Sequence, residues 1–165
     1  MTRPGGPVRL HLLRHADAGD PDTWDGPDDA RPLSPKGQRQ AERLGALLAA
    51  SGFEPDAILT SPKVRARETA DLLAEALRRP VRVDPRLGGA LDLATMEAIL
   101  ADAGDPVRPV LVGHDPEFSE LAGELLAIPG LTIRKGALAR IDAERPLEPG
   151  GGILRWLVPP DLLRP

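Results

Sequence analysis

The sequence predicts an α/β/α sandwich, with a mainly parallel sheet between two layers of helices. Three observations carry this. Strand-like and helix-like periods alternate along the chain, as they do when each strand is followed by a crossover helix. Pro109-Val110-Leu111-Val112-Gly113 is apolar throughout, the mark of a strand buried on both faces. Three pairs, Ser34-Pro35, Ser61-Pro62 and Asp115-Pro116, read as helix starts, because Ser and Asp cap a helix N-terminus and Pro suits its first turn.

In order, Val8-Arg9-Leu10-His11-Leu12-Leu13 reads as the first strand. The helix opened by Ser34 carries Ala41, Leu44, Leu47 and Leu48 at i, i+3, i+4 spacing, and Gly52 stands where a C-terminal cap belongs. Ala57-Ile58-Leu59-Thr60 is a short strand, and the helix opened by Ser61 puts Ala66, Ala70, Leu73 and Leu77 on one face. A short strand is expected over 81–83 and a helix over 93–101. The buried strand follows at 109–113, then a helix from Asp115 with Phe118, Leu121, Ala122, Leu125 and Leu126 inward. Residues 137–142 and 152–158 read as two paired closing strands, an antiparallel addition to one edge. Two connectors, 19–32 and 80–92, are long for a compact domain, and long connectors are often functional.

The 165 residues match one domain at roughly 100–200 residues each, so one domain over 1–165 is expected. With no cysteine, disulfides and Cys-ligated metals are excluded, and three histidines leave little for a zinc site. The balance of 21 basic against 25 acidic residues argues against a nucleic-acid binder, and four aromatics are too few for base stacking. The N-terminus has no apolar leader and no run is long enough to span a membrane. The expectation is a cytoplasmic protein with neither nucleic acid nor membrane as partner.

In open α/β sheets ligands bind beyond the carboxyl ends of the strands. Three such ends carry Arg14-His15, Thr60-Ser61 followed by Arg65 and Arg67, and Gly113-His114-Asp115. His11 lies within a strand and reads as structural. Cations around two imidazoles would repel a metal but suit a phosphoryl group, whose oxygens match arginine forks. A neutral histidine can attack phosphorus and become phosphohistidine.

These residues resemble the histidine phosphatase superfamily. Leu13-Arg14-His15-Ala16-Asp17 is similar to its Arg-His-Gly signature. The run from Arg31 to Gly37, Ser61-Pro62-Lys63-Val64-Arg65-Ala66, Val112-Gly113-His114-Asp115-Pro116 and Lys135-Gly136-Ala137-Leu138-Ala139-Arg140 resemble its small SixA-type branch of phosphohistidine phosphatases. The resemblance covers nearly the whole chain. It implies a phosphoglycerate-mutase-like fold and no cofactor or metal. His15 is then the phosphorylated nucleophile, with Arg14, Arg65 and His114 completing the phosphate pocket. Arg31 and Asp28 support its mouth.

Two departures stand out. Alanine replaces the signature glycine at Ala16. The segment 85–93 holds no glutamate where larger relatives keep a general acid, a trait shared with the small branch. Without that acid a phosphoramidate is the better substrate, because imidazole leaves more easily than an alkoxide. Two carboxylates are candidate acids. Asp115 is either a proton donor or a helix cap, and Asp17 follows the nucleophile by two residues. Arg31 has a second reading as a surface ion pair with Asp28 or Asp29, and Ser61 reads as a helix cap rather than a phosphate ligand. Arg67 reads as solvated. Lys135 either reaches the site or faces water, and Trp24 in the 19–32 connector is a candidate lid or docking contact.

The expected activity is a metal-independent phosphatase for phosphohistidine on a signalling protein, such as a histidine phosphotransfer domain. The alternatives are a phosphatase of a small phosphoester or phosphoanhydride, and a non-catalytic phosphate-binding module. A mutase is disfavoured, since no insertion stands ready to hold a second phosphate.

Overall fold

The computed structural model describes residues 5–164; residues 1–4, part of the N-terminus read above for a leader, and residue 165 lie outside the described residues. Among the described residues one sheet is built from β1 (Gly6–Arg14), β2 (Ala57–Thr60), β3 (Arg82–Val83), β4 (Pro109–Gly113), β5 (Leu138–Arg145) and β6 (Gly152–Val158). Its helices are α1 (Pro35–Ala50), α2 (Val64–Leu77), α3 (Leu93–Asp102) and α4 (Glu117–Leu126). The strand order is β3-β2-β4-β1-β5-β6. β3, β2, β4 and β1 run parallel, and β5 and β6 add the expected antiparallel edge.

The alternation of side chains along β1 divides the core. Val8, Leu10 and Leu12 face α3 and α4, packing with Met96, Ile99, Phe118 and Leu121. Leu13 faces the other way with Val110 and Val112, toward Leu44 of α1 and Leu73 of α2. Each such fully buried side chain contributes about 1.5–3 kcal/mol, so apolar contact fixes both helical layers onto the sheet. No helix of the described residues is long and apolar enough to cross a membrane.

Several expectations need correction. Leu47 is exposed, and the buried row of α1 is Gly37, Ala41, Leu44, Gly45 and Leu48. The reason is where α2 crosses: a Cβ on Gly45 would come within 2.8 Å of the Ala76 Cβ. Ser34 caps α1 as expected, its hydroxyl accepting the Gly37 amide at 3.1 Å. Ser61 does not cap α2, which starts at Val64 with Lys63 in the cap position and no side-chain bond there. Pro116 holds the cap position of α4, yet Asp115 just before it accepts the Ser119 amide at 3.1 Å. β1 and β5 outrun their apolar cores because they pair from Gly6–Arg145 to Leu13–Leu138, polar ends included. Unanticipated is a 3-10 turn at Pro160–Leu163, which packs against α1.

Candidate active site

β1 and β4 lie side by side and parallel, so Arg14 pairs with Gly113 and the residues that follow, His15 and His114, emerge together. The His15 amide donates to the Gly113 carbonyl at 3.0 Å. Gly136, at φ +76°, turns its amide onto the carbonyls of both Arg14 and His15, each at 3.0 Å. The Ala16 amide donates to the Thr69 hydroxyl at 3.1 Å, and that hydroxyl donates to the Arg65 carbonyl at 2.7 Å. Gly37 allows the start of α1 to lie directly on this segment, since a Cβ there would overlap the Asp17 carbonyl oxygen. His15 is thus clamped by the backbone of two strands, a helix and a loop.

The His15 and His114 rings lie 5.2 Å apart. Nδ1 of His15 is 2.7 Å from the Ala16 carbonyl, which only accepts, so Nδ1 bears the proton and Nε2 keeps its lone pair. Burial, with the charges of Arg65 and Arg14 and the neighbouring His114, lowers the His15 pKa from 6.5 to about 3. Burial also lowers His114, to about 4, with Arg65 and Lys63 adding to the effect. Both imidazoles are therefore neutral at neutral pH, the state a nucleophile needs. His114 Nε2 meets the Ser61 hydroxyl at 2.8 Å.

The arginines are held from behind. Arg14 Nη1 donates to the Ile133 carbonyl at 3.0 Å and to Asp115 at 3.3 Å. Arg65 Nη1 and Nη2 donate to the carbonyl and carboxylate of Asp28 at 2.8 and 3.0 Å. The buried Nε atoms of Arg14 and Arg65 and Nδ1 of His114 have no partner among the protein atoms. These three nitrogens, on residues whose charges act on the His15 ring, have unused hydrogen-bonding capacity of the kind that suits phosphoryl oxygens. Arg31 is buried, donating to the Ala18 carbonyl at 2.7 Å and to Asp28 at 3.2 Å. It forms the expected ion pair with Asp28, whose carboxylate is exposed, while its own buried guanidinium braces the 19–32 connector.

The carboxylates differ. Asp115 accepts from Ser119 N, Ser119 Oγ and Arg14, so it both caps α4 and orients Arg14. Burial opposes the Asp17 charge. The Ser34 hydroxyl, the Gly19 amide and the fields of Lys135 and Lys36 outweigh it and hold the carboxyl below its usual range. Asp17 is thus ionised and poorly suited to donate a proton. Trp24 lies exposed with Nε1 on the Pro27 carbonyl, and Arg67 is solvated beside Asp71. His11 sits within β1, bonded to the Pro109 carbonyl and flanked by Phe53 and Trp156. Among the described residues no three His, Cys, Asp or Glu side chains are grouped to hold a metal ion.

Sequence reasoning missed Thr69, Ser61 as a partner of His114, and the bridge Asp28 makes between Arg31 and Arg65. Thr69 had a signal: it stands four residues after Arg65, on the same helical face.

A family model for the histidine phosphatase superfamily (branch 1) matches residues 10–107. An uncharacterized protein of Mycobacterium tuberculosis is 40% identical over 119 residues, 72% of each chain. The 8-oxo-(d)GTP phosphatase of Mycolicibacterium smegmatis is 32% identical over 115 residues, 67% of this chain and 35% of that one. The structure of the protein histidine phosphatase SixA complexed with tungstate superposes with a TM-score of 0.77 at 26% identity, covering 95% of this chain and all of the other.

Proposed function

This chain belongs to the histidine phosphatase superfamily (branch 1), with the SixA-type fold, and from that premise we propose a single-domain, metal-independent phosphatase that takes phosphohistidine on a protein as its substrate. The observation that carries the proposal is the tautomer of His15. Its Nδ1 proton is committed to the Ala16 carbonyl, which leaves Nε2 as the only attacking atom.

In the first step Nε2 attacks phosphorus in line with the bond to the leaving nitrogen. A P–N bond forms on His15 as the substrate's P–N bond breaks. The departing imidazole leaves neutral when its other nitrogen already bears a proton. Arg14 Nε, Arg65 Nε and His114 Nδ1 take the three non-bridging oxygens, where they stabilise the charge of the transferring group. The phosphorylated ring is cationic and keeps its Nδ1 proton, which donates a hydrogen bond to the Ala16 carbonyl. Water then displaces Nε2, and both of its protons leave on inorganic phosphate. Asp115 and Arg31 act as positioning residues, the first behind Arg14 and the second behind Asp28.

A second reading, hydrolysis of a small phosphoester or phosphoanhydride, is favoured by the activity named for the M. smegmatis relative. The test compares kcat/KM for a phosphohistidine peptide with that for the same peptide carrying phosphoserine. A positioned acid is worth about 10²–10⁴-fold to an alkoxide leaving group, so an enzyme without one should favour the phosphoramidate by a factor in that range. Faster turnover of the phosphoserine peptide overturns the proposal.

A further inference from the structure

A cavity of about 480 Å³ is lined by Arg14 and Asp17, on either side of His15 in the chain. Its walls come from the first turns of α1, the 132–135 segment and the C-terminal 3-10 turn. Five cations line it against two carboxylates. Asp161 is engaged by Arg134 and Arg164 at 3.4 and 3.3 Å, and Asp17 by the Ser34 hydroxyl and the Gly19 amide. The donors to Asp17 are neutral, so its single charge still faces two lysines, Lys36 and Lys135. Neither makes an ion pair among the described residues, and both act on Asp17 through their fields.

Two lysines on a rim are ordinarily solvated and do nothing. Here they converge on one cavity next to a pocket that already carries Arg14 and Arg65. Asp17 offsets only one of the two lysines, and the remaining positive charge favours a further anion. The volume of this open cleft is enough for a small anionic group. We propose that Lys36 and Lys135 form a subsite for a second anionic group carried on the same substrate as the scissile phosphoryl. It needs none of the insertion that sequence reasoning looked for, because α1 and the segment before β5 supply both lysines. Two sources share this chemistry: the next phosphate of a phosphoanhydride, and a carboxylate beside the phosphohistidine of a protein. The proposal rests on the reading above only for placing the first phosphoryl at Arg14 and His15.

Calorimetry with orthophosphate and pyrophosphate tests the subsite apart from catalysis. Wild type should bind pyrophosphate at least tenfold more tightly than orthophosphate, and Lys36→Met/Lys135→Met should erase that preference. Equal affinities in wild type, or a preference that survives the double substitution, overturns the subsite. The source is read from kcat/KM in the two proteins. A phosphohistidine peptide with flanking Glu should lose its advantage over one with flanking Gln if the partner is a carboxylate. A nucleoside diphosphate should lose turnover if the partner is a phosphate, and neither loss would also overturn the proposal. Preferential pyrophosphate binding without turnover of any phosphohistidine peptide would fell the proposed function and leave the subsite standing.

Discussion

The hydroxyl of Ser61 lies 2.8 Å from Nε2 of His114, and this contact occupies one of the two ring nitrogens. The same oxygen accepts the Lys63 amide at 3.2 Å, which leaves it one lone pair and its own proton for Nε2; the tautomer in which Ser61 donates is the one that puts the ring proton on Nδ1, where His114 can donate to a phosphoryl oxygen. Nδ1 is the His114 nitrogen without a protein partner. Ser61→Ala should let the ring proton move to Nε2, visible in ring ¹⁵N shifts, and lower kcat about tenfold, in line with roughly 1–3 kcal/mol for a lost buried partner. Ser61→Thr should restore both. An alanine variant with unchanged tautomer and kcat contradicts this role.

Asp28 holds both Nη atoms of Arg65 and is itself held by Arg31. Asp28→Ala removes the carboxylate anchor of Arg65 Nη2 and a negative charge beside the site, while the backbone carbonyl still holds Nη1. The two effects separate in kinetics: kcat should fall about tenfold from lost orientation, while orthophosphate inhibits at least as well as before. A rise in the inhibition constant with unchanged kcat would assign Asp28 to binding instead.

Asp115 is the remaining candidate acid, and its contacts argue for positioning. Asp115→Asn keeps a side-chain acceptor for Ser119 but loses the charge beside Arg14. kcat/KM should therefore drop by a similar factor, about three- to tenfold, for phosphohistidine and phosphoserine peptides. A proton donor would behave differently, costing the phosphoserine peptide about 10²–10⁴-fold and the phosphohistidine peptide little.

Stability should decline in mild acid. Burial lowers His11, His15 and His114 from 6.5 to about 4, 3 and 4. Between pH 6.5 and about 4 the unfolded chain therefore binds more protons than the folded one. Stability is full above that window and is lost as pH falls through it. The carboxylates with lowered pKa, such as Asp28 and Asp142, act in the same direction but below their usual 3.8. Each histidine should cost on the order of 1–2 kcal/mol of stability at pH 5 relative to pH 7.5. Urea midpoints at pH 7.5, 6 and 5 should fall steadily, and a flat series contradicts neutral buried rings.

The convergence of Arg14, His15, Arg65 and His114 was legible because parallel strands deliver their ends to one rim, and strand ends can be read from apolar runs. The mainly parallel sheet and its antiparallel edge followed from the same periodicity, whereas the strand order β3-β2-β4-β1-β5-β6 did not. What lay beyond reach were choices among partners. Ser61-Pro62 carries a sound local signal for a helix cap, yet its hydroxyl bonds a ring 53 residues away that only the β2–β4 pairing brings near. Leu47 fits the helical stripe, but a glycine contact two residues earlier fixes where α2 crosses. The C-terminal turn at Pro160–Leu163 has too short a pattern to predict, and its position depends on α1.

The central claim is that Nε2 of His15 receives the phosphoryl group, and rapid quench with ³²P-labelled phosphohistidine peptide tests it most directly. The account predicts one acid-labile, alkali-stable label on His15 Nε2, formed within a turnover, chased by unlabelled substrate and absent from His15→Ala. A label that persists in His15→Ala, or wild-type turnover with no phosphoenzyme on any time scale, would contradict it.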